Sequence, residues 1–215
     1  MFGMNMKVKH KGQVVILRRF CKDDLPEVVE HFGSMKVHMY TMGTFAQTIE
    51  NEIEWYDKNR NDPDSCLWGI QPEGSEKLIG VVGLHGLRSM TNTCVLGIII
   101  WDEKWWNRGI ATAAHLAVLL YAAKYKINRM TIRCTVRVDN VPSWKIVEKL
   151  GYYNWGEEPV DDFVDGKWIN SYQFTWFSPI YISVLFPAGV PEKYFESVER
   201  GRLALELATK EVEFF

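Results

Sequence analysis

The chain reads as a mixed α/β (α+β) fold, one β-sheet flanked by helices. Three observations carry that class. Short apolar and β-branched runs of strand length recur along the chain, a long apolar stripe at helical spacing lies between two of them, and the turn residues arrange these as an antiparallel meander followed by one strand–helix–strand crossover. At 215 residues with 47% hydrophobic and 24% charged side chains, the chain can bury one sizeable core and is too short for two large domains.

The elements follow in order. Val14 to Leu17 is a β-branched strand, and Asp23 and Asp24 precede Leu25, Val28, Val29 and Phe32, the pattern of an N-capped helix closed by Gly33. Thr44 to Asn59 carries Phe45, Ile49, Glu52, Ile53 and Tyr56 at helical spacing and stops at the turn residues Asn61 to Asp64. Leu67 to Ile70, Leu78 to Leu84 and Cys94 to Trp101 are the meander strands. A long helix over Arg108 to Lys126 leads to a strand at Met130 to Val136. A helix over Val141 to Leu150 is closed by Gly151, and strands at Tyr152 to Trp155 and Lys167 to Phe177 end the fold.

Beyond Ser178, prolines and glycines punctuate the chain before Tyr194, Val198, Gly201, Leu205, Ala208, Val212 and Phe215 recur at steps of four and three. That stripe defines a C-terminal extension, residues 179–215, carrying an amphipathic helix after a main domain of residues 1–178. The helix either packs on its own domain, forms a homodimer contact or covers a substrate groove. Gly201 in its middle costs about 1 kcal/mol against alanine, so tertiary packing has to hold it.

Composition narrows the function. Lys plus Arg is 25 and Asp plus Glu is 27, a net charge of -2, which gives no electrostatic footprint for nucleic acid or an anionic membrane. The apolar runs are too short to span a bilayer, and Met1 to Gln13 lacks the apolar core of a secretory signal, so a cytoplasmic protein is expected. Cys21, Cys66, Cys94 and Cys134 are scattered without paired short spacings, so neither a metal nor a redox motif is expected.

The segment Trp105-Trp106-Asn107-Arg108-Gly109-Ile110-Ala111-Thr112 lies between a strand and a long helix. A small-residue turn entering a helix exposes main-chain N–H groups without intrahelical partners, and these with the helix dipole bind phosphate. Gly109 and Ala111 leave phosphate oxygens room to approach, and Arg108 adds a charge-assisted contact. An ordinary helix start is the alternative. Neither a Walker loop nor a dinucleotide fingerprint is present.

One crossover later comes Asn140-Val141-Pro142-Ser143-Trp144-Lys145-Ile146-Val147-Glu148-Lys149-Leu150-Gly151-Tyr152. Together the two blocks resemble the GNAT superfamily of acetyl-CoA-dependent N-acetyltransferases, and within it the RimJ/RimL type. The pyrophosphate loop of the superfamily, Gln/Arg-x-x-Gly-x-Gly/Ala, maps onto Trp106 to Ala111, with Trp106 in place of the leading Gln or Arg. The family's Asn-x-x-Ser-x-x-x-x-Glu-Lys-Leu-Gly-Phe is matched by Asn140, Ser143, Glu148, Lys149, Leu150, Gly151 and Tyr152. The resemblance covers residues 14–177 in element order.

It implies a GNAT-like acyl-CoA N-acyltransferase fold whose sheet splays at its centre to admit acetyl-CoA. Pantetheine would pair with Ile98, Ile99 and Ile100 like an added strand, and main-chain donors there would hold the thioester oxyanion. Amides of Arg108, Gly109, Ile110, Ala111 and Thr112 would take the pyrophosphate, and Asn140 would bond the pantetheine, cap its helix, or both. The implied acceptor is an amine, a peptide N-terminus or a small molecule, attacking directly in a ternary complex. A sensor or interaction module that binds acetyl-CoA without turnover is the alternative.

Ser143 is the resemblance's proton donor to the leaving thiolate; otherwise it is a first-turn helix residue. Asp162 precedes Asp165-Gly166-Lys167-Trp168 where the family often places an acidic residue, and it is the nearest base, unless Asp161, Asp162 and Asp165 form a solvated turn. Asn170, where relatives carry Asp, and Val95, at a position often acidic, depart from the pattern. His85 ends a strand, and the unperturbed pKa of a histidine suits a base near neutrality; otherwise it is structural. His115 reads as a helix residue. Tyr40, Trp55, Tyr152, Tyr153 and Trp155 either line an amine pocket or pack the core.

Overall fold

The computed structural model describes residues 1–32, 34–40, 47–125 and 128–215. The expected stop at Gly33, the start at Thr44 with Phe45, and the end at Lys126 lie outside them. The chain divides into two units, and β5 and α4 each pass from one into the other.

Unit 1 holds Met1–His85, Gly97–His115 and Val212–Phe215. Its sheet runs in the order β9 (Val212–Phe214), β1 (Met6–His10), β2 (Gln13–Arg18), β3 (Ser65–Pro72), β4 (Gly80–His85) and the second half of β5 (Thr93–Ile100). The helices α1 (Leu25–Phe32), α2 (Met35–His38) and α3 (Ile49–Asn59) intervene between β2 and β3. Asp24 does not simply cap α1, because its carboxylate takes Arg18 at 2.6 and 2.9 Å.

β1 and β2 form a hairpin that the sequence reading did not anticipate. Lys11 (φ 48°) and Gly12 (φ 77°) are both left-handed, as a two-residue turn between right-twisted strands requires. Met6, Val8 and His10 alternate inward while Lys7 is half-buried and Lys9 exposed. β3 is buried along nearly its whole length. Trp68 lies so close to Gly3 that a side chain there would collide with its ring, and its indole donates to the Met4 carbonyl at 2.8 Å. Phe20, Val28, Val37, Leu78 and Trp101 form a second cluster, against which Tyr56 of α3 and Ile99 of β5 pack.

Unit 2 holds Gly86–Leu96 and Leu116–Glu211. Its strands run in the order β7 (Tyr152–Val164), β8 (Lys167–Phe177), β6 (Thr131–Arg137) and the first half of β5. β6 pairs parallel with β5 and antiparallel with β8, which makes the sheet mixed. β7 runs much further than the expected Tyr152 to Trp155, through two register irregularities, to the Asp165-Gly166 turn, where both residues have positive φ. α4 (Ile110–Lys124) and α5 (Val141–Lys149) fall where the periodicity put them.

The C-terminal stripe differs in one respect. α7 (Phe195–Glu211) follows the short α6 (Ile182–Leu185) and ends before Val212, which continues as strand β9, so Val212 and Phe215 are not on the helix. Gly201, Ala204, Leu205 and Ala208 are buried where α7 packs on β8 and β7. A Cβ on Gly151 (φ 92°), the glycine closing α5, would strike the main chain of Gly201 and stand 2.6 Å from the Ser197 carbonyl oxygen. This approach is the tertiary packing that a mid-helix glycine needs.

Candidate active site

In unit 1 the second half of β5, Gly97–Ile100, is the edge strand of its sheet. β5 pairs with β6 only over Thr93, Cys94 and Val95, facing Thr131, Ile132 and Arg133. An edge strand presents unpaired main-chain donors and acceptors to any extended segment laid beside it. Gly80 permits the close fit of β4 on the inner edge, since a Cβ there would meet the Ile99 carbonyl and stand 3.0 Å from Ile100 Cδ1.

Two tryptophans fix the turn that follows. The buried Trp101 donates its main-chain N–H to the Ile79 carbonyl at 2.9 Å and its indole N–H to the Leu78 carbonyl at 3.2 Å. Trp106 folds back to donate its indole N–H to the Ile100 carbonyl at 2.8 Å. Between them Asp102 caps a short turn by accepting from the Lys104 N–H at 3.0 Å. Asn107 (φ 58°) and Gly109 (φ 81°) are left-handed, conformations that these residue types reach most cheaply. Arg108 between them is exposed and lies over the Trp105 ring at 5.4 Å.

α4 begins at Ile110, and the Gly109 carbonyl accepts from the Ala113 N–H at 3.0 Å. Gly109 therefore stands at the cap and has no side chain with which to fill it. The first N–H groups of a helix have no partner within it, and here they carry the positive end of a 15-residue helix. Ile110 and Ala113 turn into the core while Ala111 and Thr112 keep partial exposure. The arrangement suits a phosphate-bearing ligand: a glycine at the cap position, small side chains and one exposed guanidinium on the same short turn.

In unit 2 Asn140 precedes α5. Its carbonyl accepts from the Ser143 and Trp144 N–H groups at 3.1 and 3.2 Å, but its side chain makes no cap hydrogen bond. Of the two roles expected for Asn140, capping by the carboxamide is not used. Ser143 is half-buried in the first helical turn, and among the described residues its hydroxyl has no hydrogen-bond partner. The Trp144 indole pins the helix to the Val138 carbonyl at 3.2 Å.

Asp162 is engaged at both oxygens: Arg137 donates to one at 3.3 Å, and the Phe163 N–H donates to the other at 2.9 Å. The buried Arg137 also forms a two-pronged pair with Asp139 at 2.6 and 3.0 Å. Sequence reasoning missed this Arg137–Asp139–Asp162 group. Its only sequence signal is the Arg-x-Asp spacing after a strand, because Asp162 arrives through the order β6-β8-β7. Asn170 holds the irregular part of β7, accepting from the Val160 N–H at 3.1 Å and donating to Glu157 at 3.0 Å.

His85 ends β4 opposite Ser65. It stands five residues from Gly80, the β4 residue beside Ile99 and Ile100, or about 17 Å of strand. Loss of hydration pushes its pKa below the usual histidine value, with Asp62 and Asp64 pulling the other way. His115 is fully buried in α4, and burial lowers its pKa to about 3. Burial raises the Cys66 and Cys94 thiols to about 12. Tyr153 and Trp155 stack edge-on with Tyr194, which favours packing over a pocket lining.

The family model described as acetyltransferase (GNAT) domain matches residues 15–153, which include the α4 turn, Asn140 and Ser143. The chain belongs to the GNAT acetyltransferase family. It is accordingly an acetyl-CoA-dependent N-acetyltransferase. One relative, the uncharacterized N-acetyltransferase YoaA of Bacillus subtilis (strain 168), is 25% identical over 146 residues, 66% of this chain and 81% of the relative. Among solved structures, the spermidine N-acetyltransferase of Vibrio cholerae, in complex with CoA and spermine, superposes with a TM-score of 0.71 at 19% identity. That match covers 78% of this chain and 97% of the other. A GNAT-family acetyltransferase of Bacillus anthracis gives 0.67 at 23% identity, covering 81% and 99%. These likenesses establish the mixed α/β acyl-CoA N-acyltransferase fold. Among the described residues no group of His, Cys, Asp and Glu has the arrangement to hold a metal ion, and no helix is long and apolar enough to cross a membrane.

Proposed function

We propose that this GNAT enzyme transfers the acetyl group of acetyl-CoA to a primary amine, a protein N-terminus or a small molecule, by direct attack in a ternary complex, in the manner of the RimJ/RimL type. The observation that carries the reading is the turn Trp105–Thr112, where a left-handed glycine leaves a helix N-terminus uncapped beside an exposed arginine. In this reading the amides of Arg108, Gly109, Ile110, Ala111 and Thr112 take the pyrophosphate. The edge-strand residues Ile98, Ile99 and Ile100 supply main-chain groups to pantetheine and to the thioester oxyanion. The carboxamide of Asn140, not spent on capping, is assigned to pantetheine.

Ser143 is assigned the proton delivered to the departing thiolate, which its uncommitted hydroxyl supports. The chemistry belongs to residues 1–178, with 179–215 as an extension whose helix is packed inward. Three buried, unpaired cysteines suit a reducing cytoplasm. Positioning two substrates together supplies much of the rate in such a reaction.

The test is release of free CoA from acetyl-CoA across peptides, polyamines, amino acids and aminoglycosides, with an acceptor-free control. Amine-dependent release is expected and identifies the acceptor class. Acetyl-CoA binding with no release for any amine overturns the transferase reading in favour of a sensing module.

A further inference from the structure

Helix α3 is inverted in one respect. Thr48 caps it, accepting from the Asn51 N–H at 3.3 Å, and of its eleven residues the one that is buried is a glutamate. Glu52 is 8% exposed while its neighbour Ile53 is 37% exposed. A carboxyl removed from water is costly unless a cation or donors meet it. Among the described residues none is hydrogen-bonded or ion-paired to Glu52, and burial alone, without help from a neighbouring charge, raises its pKa.

Its place in unit 1 is informative. Glu52 lies one turn before Tyr56 on the same helix face, and Tyr56 packs on the cluster of Phe20, Val28, Val37, Leu78 and Trp101. Ile99, in the middle of the β5 segment assigned to the thioester, packs on that same cluster. The charged groups of the neighbouring elements are committed elsewhere. Glu27 of α1 pairs with His31 and Lys77, and Lys22 pairs with Asp57. Glu30 of α1 and Glu50, Glu54 and Lys58 of α3 itself are exposed.

We propose that Glu52 is the proton acceptor for the amine substrate, the group that meets its ammonium and removes a proton from it. The proposal rests on the transferase reading. The ammonium gives one proton to the Glu52 carboxylate, and the freed nitrogen lone pair forms the C–N bond to the thioester carbon. The C–S bond breaks with its electron pair going to sulfur. The second nitrogen proton is lost as the amide forms, the thiolate gains one proton, and Glu52 returns its proton to solvent. A carboxyl whose affinity for protons is raised by burial is better matched to this work near neutrality than an exposed one.

The experiment compares wild type, Glu52→Gln and Glu52→Asp with an amine that the wild type acetylates. For Glu52→Gln, kcat/KM for the amine is expected to fall about 100-fold or more, with the Kd for acetyl-CoA within twofold of wild type, which certifies the fold. Its rate should climb tenfold per pH unit toward the amine's own pKa, as only pre-neutralised amine reacts. Glu52→Asp, which keeps the carboxylate on a shorter arm, should fall between the two. A Glu52→Gln rate within threefold of wild type with an unchanged pH profile overturns the proposal while leaving the transferase standing. No amine-dependent turnover in the wild type overturns both.

Discussion

Two replacements of Gly109 separate its backbone role from its role in binding. Its φ of 81° is left-handed, which costs an L-residue with a Cβ about 1–2 kcal/mol. Among the described residues a Cβ there meets only His10 Cδ2, at 3.8 Å, an ordinary contact, and none of them adds a clash to the cost. Gly109→Ala should therefore lose about 1–2 kcal/mol of stability by urea unfolding, and Gly109→Asn less, because asparagine tolerates this conformation. Affinity should behave differently. If phosphate oxygens approach the main chain at this residue, either side chain blocks them, and losing one charge-assisted hydrogen bond, about 1.5–3 kcal/mol, weakens acetyl-CoA binding about 10- to 150-fold. Both variants should show that loss by calorimetry, although only alanine carries the full conformational cost. A Gly109→Asn protein that binds acetyl-CoA within twofold of wild type would refute the assignment of this turn to the pyrophosphate.

Further expectations concern other residues. Ser143→Ala should lower kcat about 100-fold with the acetyl-CoA Kd nearly unchanged, measured by steady-state kinetics and calorimetry; unchanged kcat removes Ser143 from the mechanism. Gly151→Ala forces a Cβ against the main chain of Gly201 at a left-handed position, so a loss of about 3 kcal/mol or more is expected in urea unfolding, and a loss under 1 kcal/mol would contradict the packing described. His115, with a folded pKa of about 3, stays neutral where an unfolded histidine near 6.5 takes up a proton. Its contribution is therefore present above pH 6.5 and is lost as pH falls from there toward 3, by about 2 kcal/mol at pH 5. His115→Gln should flatten the stability–pH slope by that amount between pH 8 and 5; an identical slope in the two proteins counts against the buried neutral ring.

The legible parts of the fold were those whose pattern and local chemistry agree. α4 and α5 needed only apolar spacing, with a glycine closing α5. β1 was missed because its inward residues are Met6, Val8 and His10 between lysines, so a buried histidine broke the apolar alternation. β9 was missed for the opposite reason: Val212 and Phe215 happen to extend the helical spacing of α7, and only pairing of Val212 and Phe214 with Val8 and Met6 makes the segment a strand. Within the candidate site, the turn before α4 was readable because its left-handed backbone calls for residues such as Asn107 and Gly109. The engagement of Asp162 by Arg137 was not, since sheet order brings together residues 25 apart.

Gly201 and Glu52 both break local rules, and the structure treats them differently. Gly201 is a poor residue for a helix interior, but the main chain of α7 lies against Gly151 and Trp176, and a side chain at Gly201 would begin to crowd the Trp176 indole at 3.0 Å. The local cost is offset by a contact inside the protein, and nothing further is needed to account for it. Glu52 breaks a rule of similar weight, a carboxyl on the inward face of a helix that exposes Ile53, and the described residues supply no compensating cation or donor. Where sequence and fold agree at nearly every other level, an uncompensated exception is expected at a place where function overrides stability. The proposal that Glu52 receives the proton of the substrate ammonium takes the buried carboxylate of α3 as such an exception.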